Sequence, residues 1–191
     1  MIRKLNYKTE SDFSVTYKLN KVNGIFNWYP YTEGFSKPFV DKMISIFNIK
    51  KGDLVLDPFG GCGTTALACC LQGINSLSIE VNPFMNLVVK AKTQTLELNP
   101  KLLRKQFNLI KEKLEDKKNI KKIPSFLEGK PFFNNHNLIK ALKIKESILE
   151  LDLPQKHRNF FLMQLSSILV KISDMVRATD LRYKKIKPRK M

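Results

Sequence analysis

The hydrophobic pattern changes character along the chain near residue 100. Before that point two apolar runs, at 54–56 and 74–81, are short enough for buried strands, and a helical period lies between them. This strand–helix–strand order is typical of a parallel α/β unit. Beyond residue 100 the apolar residues recur at helical spacing, so no further strand is predicted there.

The remaining elements are predicted from starts marked by proline or a polar residue. Helices are expected at 37–48, from Pro83 to about Thr93, from Asn99 onward, at 136–150, and from Pro154 to about Ala178. A short strand is expected at 12–17 and a brief extended piece at 95–98. The second half of the chain is therefore predicted to be helical.

A glycine-rich loop lies between the first strand and its helix. Residues 57–65 read D-P-F-G-G-C-G-T-T, and glycines at such a turn let the backbone approach a ligand closely. Glu80 ends the second strand, 23 residues beyond Asp57, the distance at which a dinucleotide fold places the acid that holds ribose hydroxyls. The pattern predicts a nucleotide-cofactor site, and the alternative is a βαβ unit whose glycine turn holds no ligand.

Residues 57–65 resemble the S-adenosylmethionine motif D-P-F-x-G-x-G-T-T of DNA amino-methyltransferases, which methylate cytosine N4 or adenine N6. The resemblance implies that Glu80 binds ribose hydroxyls and that Asn82 and Pro83 flank the adenine. The segment around Phe35 resembles the motif that cradles the methionine end; the alternative is that its aromatic residues only cap the core. The expected cofactor-binding residues are Phe35, Ser36, Lys37, Asp57, Pro58, Phe59, Gly60, Gly61, Cys62, Gly63, Thr64, Thr65, Glu80, Val81, Asn82 and Pro83.

The family's second motif, (D/N/S)-P-P-(Y/F/W), is absent from the sequence. In the family it holds the target amine and stacks on the flipped base. Two parallel strands also leave an open sheet edge that would seek a partner. We therefore expect the cofactor-binding N-terminal part of a split or truncated enzyme, inactive without a second methyltransferase chain that carries this motif.

The fold class expected from the resemblance is α/β. A partial Rossmann-like methyltransferase region at 1–98, its sheet completed by the partner chain, is followed by a helical segment at 99–180 and a basic tail at 181–191. Cytosine N4 is the favoured target over adenine N6. Two alternatives stay open: a fragment of an RNA guanine-N2 methyltransferase, whose loop can also read D-P-F-x-G-x-G-T, and a non-catalytic basic nucleic-acid-binding remnant.

Positive charge is concentrated in the second half. Residues 1–100 hold 11 Lys/Arg and 8 Asp/Glu, whereas residues 101–191 hold 23 and 9. Such a half indicates a polyanion partner, here DNA, although solvated lysine faces are the alternative. The tail residues expected to neutralise phosphates, unless the tail is only a disordered solubilising segment, are Arg182, Lys184, Lys185, Lys187, Arg189 and Lys190.

Other features of the composition restrict the chemistry. Cys62, Cys69 and Cys70 have no metal-ligand spacing, and His136 and His157 are isolated, so no metal site is predicted. No residue is assigned as a general base. No signal peptide or apolar run of membrane-spanning length is present, and a cytoplasmic location is expected.

Overall fold

The computed structural model of the chain describes residues 15–120, 122–177 and 181–184. The chain divides between Val89 and Lys90 into two compact units. The helices are α1 (Lys37–Ile46), α2 (Thr64–Leu71), α3 (Pro83–Gln94), α4 (Pro100–Asp116), α5 (Asn135–Glu150) and α6 (Gln155–Ile172). The strands are β1 (Leu54–Asp57), β2 (Asn75–Ser78), β3 (Met175–Arg177) and β4 (Leu181–Tyr183).

The first unit contains the predicted parallel strand pair. β1 and β2 run parallel, in a register from Leu54 opposite Asn75 to Asp57 opposite Ser78. The second strand is shorter at both ends than the predicted run at 74–81. Apolar character continues past the last paired residue, which explains why the pattern alone overestimates its length.

Helices α1 and α2 cover one face of this two-stranded sheet. Their core consists of Phe26, Val40, Ile44, Leu67, Ala68, Cys69 and Ile74, with Val55 of β1 packed against it. On the other face Leu56 and Leu77, which are opposite each other in register, are 57% and 53% exposed. That face is not covered by the residues that the structure describes.

The segment before α1 is built from turns rather than from a strand. Two 3-10 helices span Tyr17–Val22 and Gly24–Asn27. The buried Tyr17 hydroxyl donates to the carbonyl of Phe26 at 2.9 Å and so holds the two turns together. The strand predicted at 12–17 is wrong in its described part, where only Thr16 makes an isolated bridge, to Phe35; residues 12–14 lie outside the described residues.

The second unit packs α4, α5 and α6 around Ile110, Ile148, Leu153 and Phe161. The helix starts agree with the sequence, because Asn99 and Asn134 cap α4 and α5 by accepting backbone N–H groups. Residues 95–97 form a 3-10 turn, so the predicted extended piece is wrong. Among the described residues no helix is long and apolar enough to cross a membrane.

A short hairpin after α6 corrects the expectation that no strand follows residue 100. β3 and β4 pair antiparallel, with Met175 opposite Tyr183. Helix α6 ends at Ile172 rather than near residue 178, and the Ser173 hydroxyl accepts the N–H of Met175 at 3.1 Å. Strands of three residues are too short to show an alternating pattern, so only their pairing reveals them.

Candidate cofactor-binding site

A cleft opens where β1 and β2 end. Its volume is about 390 Å³, and it lies at the carboxyl ends of parallel strands, where α/β proteins place their ligands. The glycine loop after β1 forms one wall and the segment before α1 forms another. The lining residues are Tyr31, Glu33, Gly34, Phe35, Asp57, Pro58, Phe59, Gly60, Gly61, Cys62, Thr64, Thr65, Ile79, Glu80 and Val81.

The glycine loop lies directly on the end of β2. The N–H of Gly60 donates to the carbonyl of Ile79 at 2.9 Å, and a Cβ added at Gly60 would lie 2.0 Å from the Ser78 hydroxyl. A side chain at position 60 would therefore collide with the Ser78 hydroxyl in its observed position. Gly61 and Gly63 have positive φ angles of 49° and 79°, a conformation that favours glycine at both positions.

Glu80 ties the end of β2 to the glycine loop. Its Oε2 accepts the N–H of Gly61 at 2.8 Å, and its Oε1 accepts the N–H of Asn82 at 2.7 Å. An ionised carboxylate has about four acceptor sites. Two backbone bonds therefore leave it able to accept hydroxyl groups from a ligand in the cleft.

Tyr31 and Glu33 line the cleft but were not among the residues predicted from sequence. A Cβ at Gly61 would lie 3.3 Å from Cε1 of Tyr31, so the aromatic ring rests against the glycine loop. Burial, a hydrogen bond to Glu33, and the charges of Glu33 and Glu80 raise the pKa of the Tyr31 hydroxyl. Tyr31 belongs to the aromatic cluster at 26–31, but the sequence does not show which of those rings faces the loop.

Some predicted residues support the cleft without lining it. Ser36 is buried at the start of α1, where its hydroxyl accepts the N–H of Phe39 at 3.2 Å. The Lys37 ammonium pairs with Asp41 at 2.5 Å. These interactions stabilise the first turn of α1, which follows the lining residue Phe35.

Three further predicted residues, at the starts of α2 and α3, also lie outside the cleft lining. Gly63 is the N-cap of α2, and a Cβ there would lie 3.0 Å from Cγ2 of Val89. The Asn82 side chain accepts the N–H of Phe84 at 2.9 Å, and Pro83 is the first residue of α3. Asn82 thus stabilises the start of α3, and the missing side chain of Gly63 lets the start of α2 lie close to Val89.

Of the six residues predicted to contact nucleic acid, two lie within the described residues. Arg182 in β4 and Lys184 after it are exposed. The Lys184 ammonium donates to the carbonyl of Lys171 at 3.3 Å and also to that of Ser173, at the end of α6. Lys185, Lys187, Arg189 and Lys190 lie outside the described residues.

Cysteine and histidine do not form a metal centre in the described ranges, where no group of three or more potential ligands comes together. Cys62 and Cys69 are buried and Cys70 is exposed, all three as free thiols. His157 is buried against Gln106, with 2.7 Å between Nδ1 and Oε1. Its role there is one of packing between α4 and α6.

A parallel strand pair, a glycine loop that starts a helix, and an acid after the second strand are features typical of an α/β nucleotide-cofactor site. Comparison with known proteins identifies a family that the first half of the chain resembles. Residues 4–90 match the DNA methylase family of N6 and N4 methyltransferases. The predicted resemblance is thus confirmed: the chain is related to the DNA amino-methyltransferases.

Individual relatives agree with this family. The chain is 39% identical to the type II methyltransferase M.BsoBI of Geobacillus stearothermophilus over 109 residues, which is 55% of this chain and 21% of that protein. It is 29% identical to M.MjaII of Methanocaldococcus jannaschii over 157 residues, 78% of this chain and 29% of that protein. For M.AvaI of Nostoc the identity is 26% over 160 residues, 82% of this chain and 30% of that protein.

The chain spans less than a third of the length of these relatives. No solved structure matches it. The matched family is one of DNA methylases and the relatives are type II methyltransferases, so the comparisons do not favour the RNA guanine-N2 methyltransferase or the non-catalytic remnant.

Proposed function

We propose that this chain binds S-adenosylmethionine and forms the cofactor-binding part of a DNA methyltransferase that modifies an exocyclic amine. The observation that carries the proposal is that the family's glycine motif lines a cleft of about 390 Å³ at the carboxyl ends of β1 and β2. Clefts of roughly 300–1,000 Å³ are usual for small-molecule ligands. The cleft therefore has the size and the place that such a cofactor requires.

The residues present also fit the chemical groups of the cofactor. Gly60 and Gly61 line the cleft with backbone alone, which allows close approach of a ligand. Helix α2 begins next to them at Thr64, and its free N–H groups favour a carboxylate such as that of the methionine part. Glu80 has acceptor sites left for ribose hydroxyls.

Bound S-adenosylmethionine would supply a methyl group on a positively charged sulfur, open to attack by an amine. The protein contributes mainly positioning. Asp57 accepts the N–H of Phe59 at 3.1 Å through its side chain, so we assign it the ordering of the loop and no acid–base role. Phe35 lines the same cleft, on the wall formed by the segment before α1.

The pocket for the target base is proposed to come from another part of the enzyme. The sequence lacks the (D/N/S)-P-P-(Y/F/W) tetrapeptide, which in the family directs the lone pair of the target amine. We propose that a second methyltransferase chain carries it. DNA is the proposed substrate, with cytosine N4 as the favoured position.

The free edge of β1 offers a place for that second chain. β1 pairs only with β2 among the described residues. On the side of β1 away from β2, an apolar groove of about 330 Å³ lies between β1 and α1. Its exposed residues include Phe47 and Phe59, 60% and 87% exposed. A strand that paired with this edge would extend the sheet and cover these side chains.

Titration calorimetry with S-adenosylmethionine tests the proposal. We expect saturable binding by the 191-residue chain. Gly61→Val should abolish it, because Gly61 has a φ of 49° and already lies against Tyr31. Absence of binding heat, both alone and after mixing with a chain that carries the tetrapeptide, would disprove the proposed function.

A further inference from the structure

The cleft is negatively charged although the protein has a formal net charge of +17. Three carboxylates line it, those of Glu33, Asp57 and Glu80. No lysine, arginine or histidine is among the described residues that line it. The nearby Lys37 ammonium, which the sequence placed in the site, is paired with Asp41 instead.

Two of these carboxylates have a structural task. Asp57 accepts the N–H of Phe59, and Glu80 accepts those of Gly61 and Asn82. Their removal would disturb the glycine loop itself. Glu33 differs, because it interacts with the side chain of Tyr31, whose ring lies against the loop. Glu33 therefore adds charge to the cleft without holding the loop backbone.

We propose that Glu33, which lines the cleft together with Tyr31, makes the cleft discriminate between the positively charged methyl donor and its neutral product. This inference rests on the proposed function and concerns the same site. S-adenosylmethionine has a net charge of +1 at neutral pH, and S-adenosylhomocysteine has none. Transfer of the methyl group to the amine, which then releases a proton to solvent, leaves an uncharged thioether.

The two ligands share their adenine, ribose and amino-acid groups. Interactions with those groups bind both ligands equally and cannot separate them. A carboxylate facing the cleft acts on the difference in charge, since its attraction falls only inversely with distance at a given dielectric constant. Glu33 is thus a specificity-determining residue that favours binding of the donor and release of the product.

The test compares dissociation constants of the full chain for three ligands. They are S-adenosylmethionine, S-adenosylhomocysteine and sinefungin, whose protonated amine keeps a positive charge close to the position of the sulfonium. In Glu33→Gln we expect affinity for the two cationic ligands to fall by about threefold to tenfold. Affinity for S-adenosylhomocysteine should change by less than about twofold, because only the charge of the ligand differs.

Glu112→Gln is the matched control. Glu112 is exposed on α4 and does not line the cleft, so its removal makes the same change in net charge. All three affinities should be unchanged in this variant. Glu33→Asp keeps the charge and should retain the discrimination, and circular dichroism verifies that each variant is folded.

Salt dependence of the wild type gives a readout that needs no substitution. Added sodium chloride should weaken binding of the two cationic ligands more than that of S-adenosylhomocysteine. An equal change for all three ligands in Glu33→Gln, or no change, would overturn the role of Glu33 while leaving the proposed function intact. A wild type that binds none of them would overturn both.

Discussion

Gly60 shows how one missing side chain shapes the cleft. Its backbone lies so close to β2 that a Cβ would meet the Ser78 hydroxyl at 2.0 Å, while the next nearest atoms are 3.4 Å away. The hydroxyl has no hydrogen-bond partner among the described residues. The steric conflict of a side chain at position 60 would therefore be with one oxygen atom. Either glycine at position 60 or loss of the hydroxyl at position 78 avoids it.

This leads to a double-mutant prediction. Gly60→Ala should destabilise the chain by about 1–3 kcal/mol, since the loop must move away from β2. It should also weaken S-adenosylmethionine binding by at least about tenfold, because that displacement moves the cleft wall. Adding Ser78→Ala to this variant should restore most of the lost stability and most of the lost affinity for S-adenosylmethionine. Urea unfolding measures the stability and calorimetry the affinity.

Gly73→Ala is the control for this pair. Gly73 also has a positive φ, of 68°, but a Cβ there would meet nothing within 4 Å. It should lower stability through backbone strain and leave ligand affinity unchanged. Failure of Ser78→Ala to rescue Gly60→Ala would show that the close approach to β2 is not what requires glycine.

His157 forms a contact between two helices, and its protonation makes the stability of the chain depend on pH. It is buried on α6 and hydrogen-bonded to the side chain of Gln106 on α4. Burial, together with the charge of Lys156, lowers the pKa of His157 below its usual value of 6.5. The unfolded chain therefore binds a proton at a higher pH than the folded chain does.

The pH dependence has a definite sign. The contribution of the neutral His157 is complete above pH 6.5, the unfolded value, and decreases as the pH falls below it toward the folded pKa. Chemical unfolding between pH 7.5 and 5 should show this decrease in stability. His157→Gln should make the decrease smaller, whereas His136→Gln should not, because His136 is exposed. Equal pH profiles for both variants would contradict the assignment.

The edge of β1 makes a separate prediction at the level of elements. Phe47 is 60% exposed and lines the groove beside that edge. Phe47→Asp should leave the isolated chain folded, because this side chain contributes little apolar area to its core, but should weaken association with a chain that carries the missing tetrapeptide. Size-exclusion chromatography of the mixed chains measures this.

Phe126→Asp is the control for that variant. Phe126 is 70% exposed but does not line this groove, so association should be unaffected. If Phe47→Asp associates as the wild type does, the partner does not dock at the edge of β1.

The charge distribution matters at the scale of the whole molecule. The formal net charge is +17, yet the cleft is lined by carboxylates. DNA and the cofactor would thus bind to surfaces of opposite sign. If the proposed DNA binding is correct, the affinity for DNA should depend steeply on salt, because bound phosphates release counterions.

Replacing Lys185, Lys187, Arg189 and Lys190 with glutamine tests the proposed binding of DNA by the tail. If each side chain neutralises a phosphate, the slope of log affinity for duplex DNA against log salt should become less steep by about 0.9 for each phosphate that is no longer neutralised. Calorimetry with S-adenosylmethionine should show no change. A matched set of four substitutions at exposed helix lysines, Lys101, Lys105, Lys111 and Lys140, is the control. An unchanged slope in the tail variant would exclude the tail from DNA binding.

The strand pair, the glycine loop and Glu80 could be predicted from sequence because the residues involved are close in the chain. A strand, a tight turn and a helix start follow one another directly in this segment. This order leaves the backbone few possible conformations. The family comparison matches the same part of the chain, residues 4–90. Helix starts were also predictable, since Ser36, Asn99 and Asn134 cap the backbone locally.

Only the tertiary structure decided which residues from distant segments meet. Tyr31 and Glu33 line the same cleft as the glycine loop although they lie more than 20 residues before it in the chain, and no local pattern contains that information. The three-residue strands β3 and β4 likewise depend on each other for their hydrogen bonds. Local spacing thus determined the motif and its loop, whereas long-range packing determined the opposite wall of the cleft and the charge that it contributes.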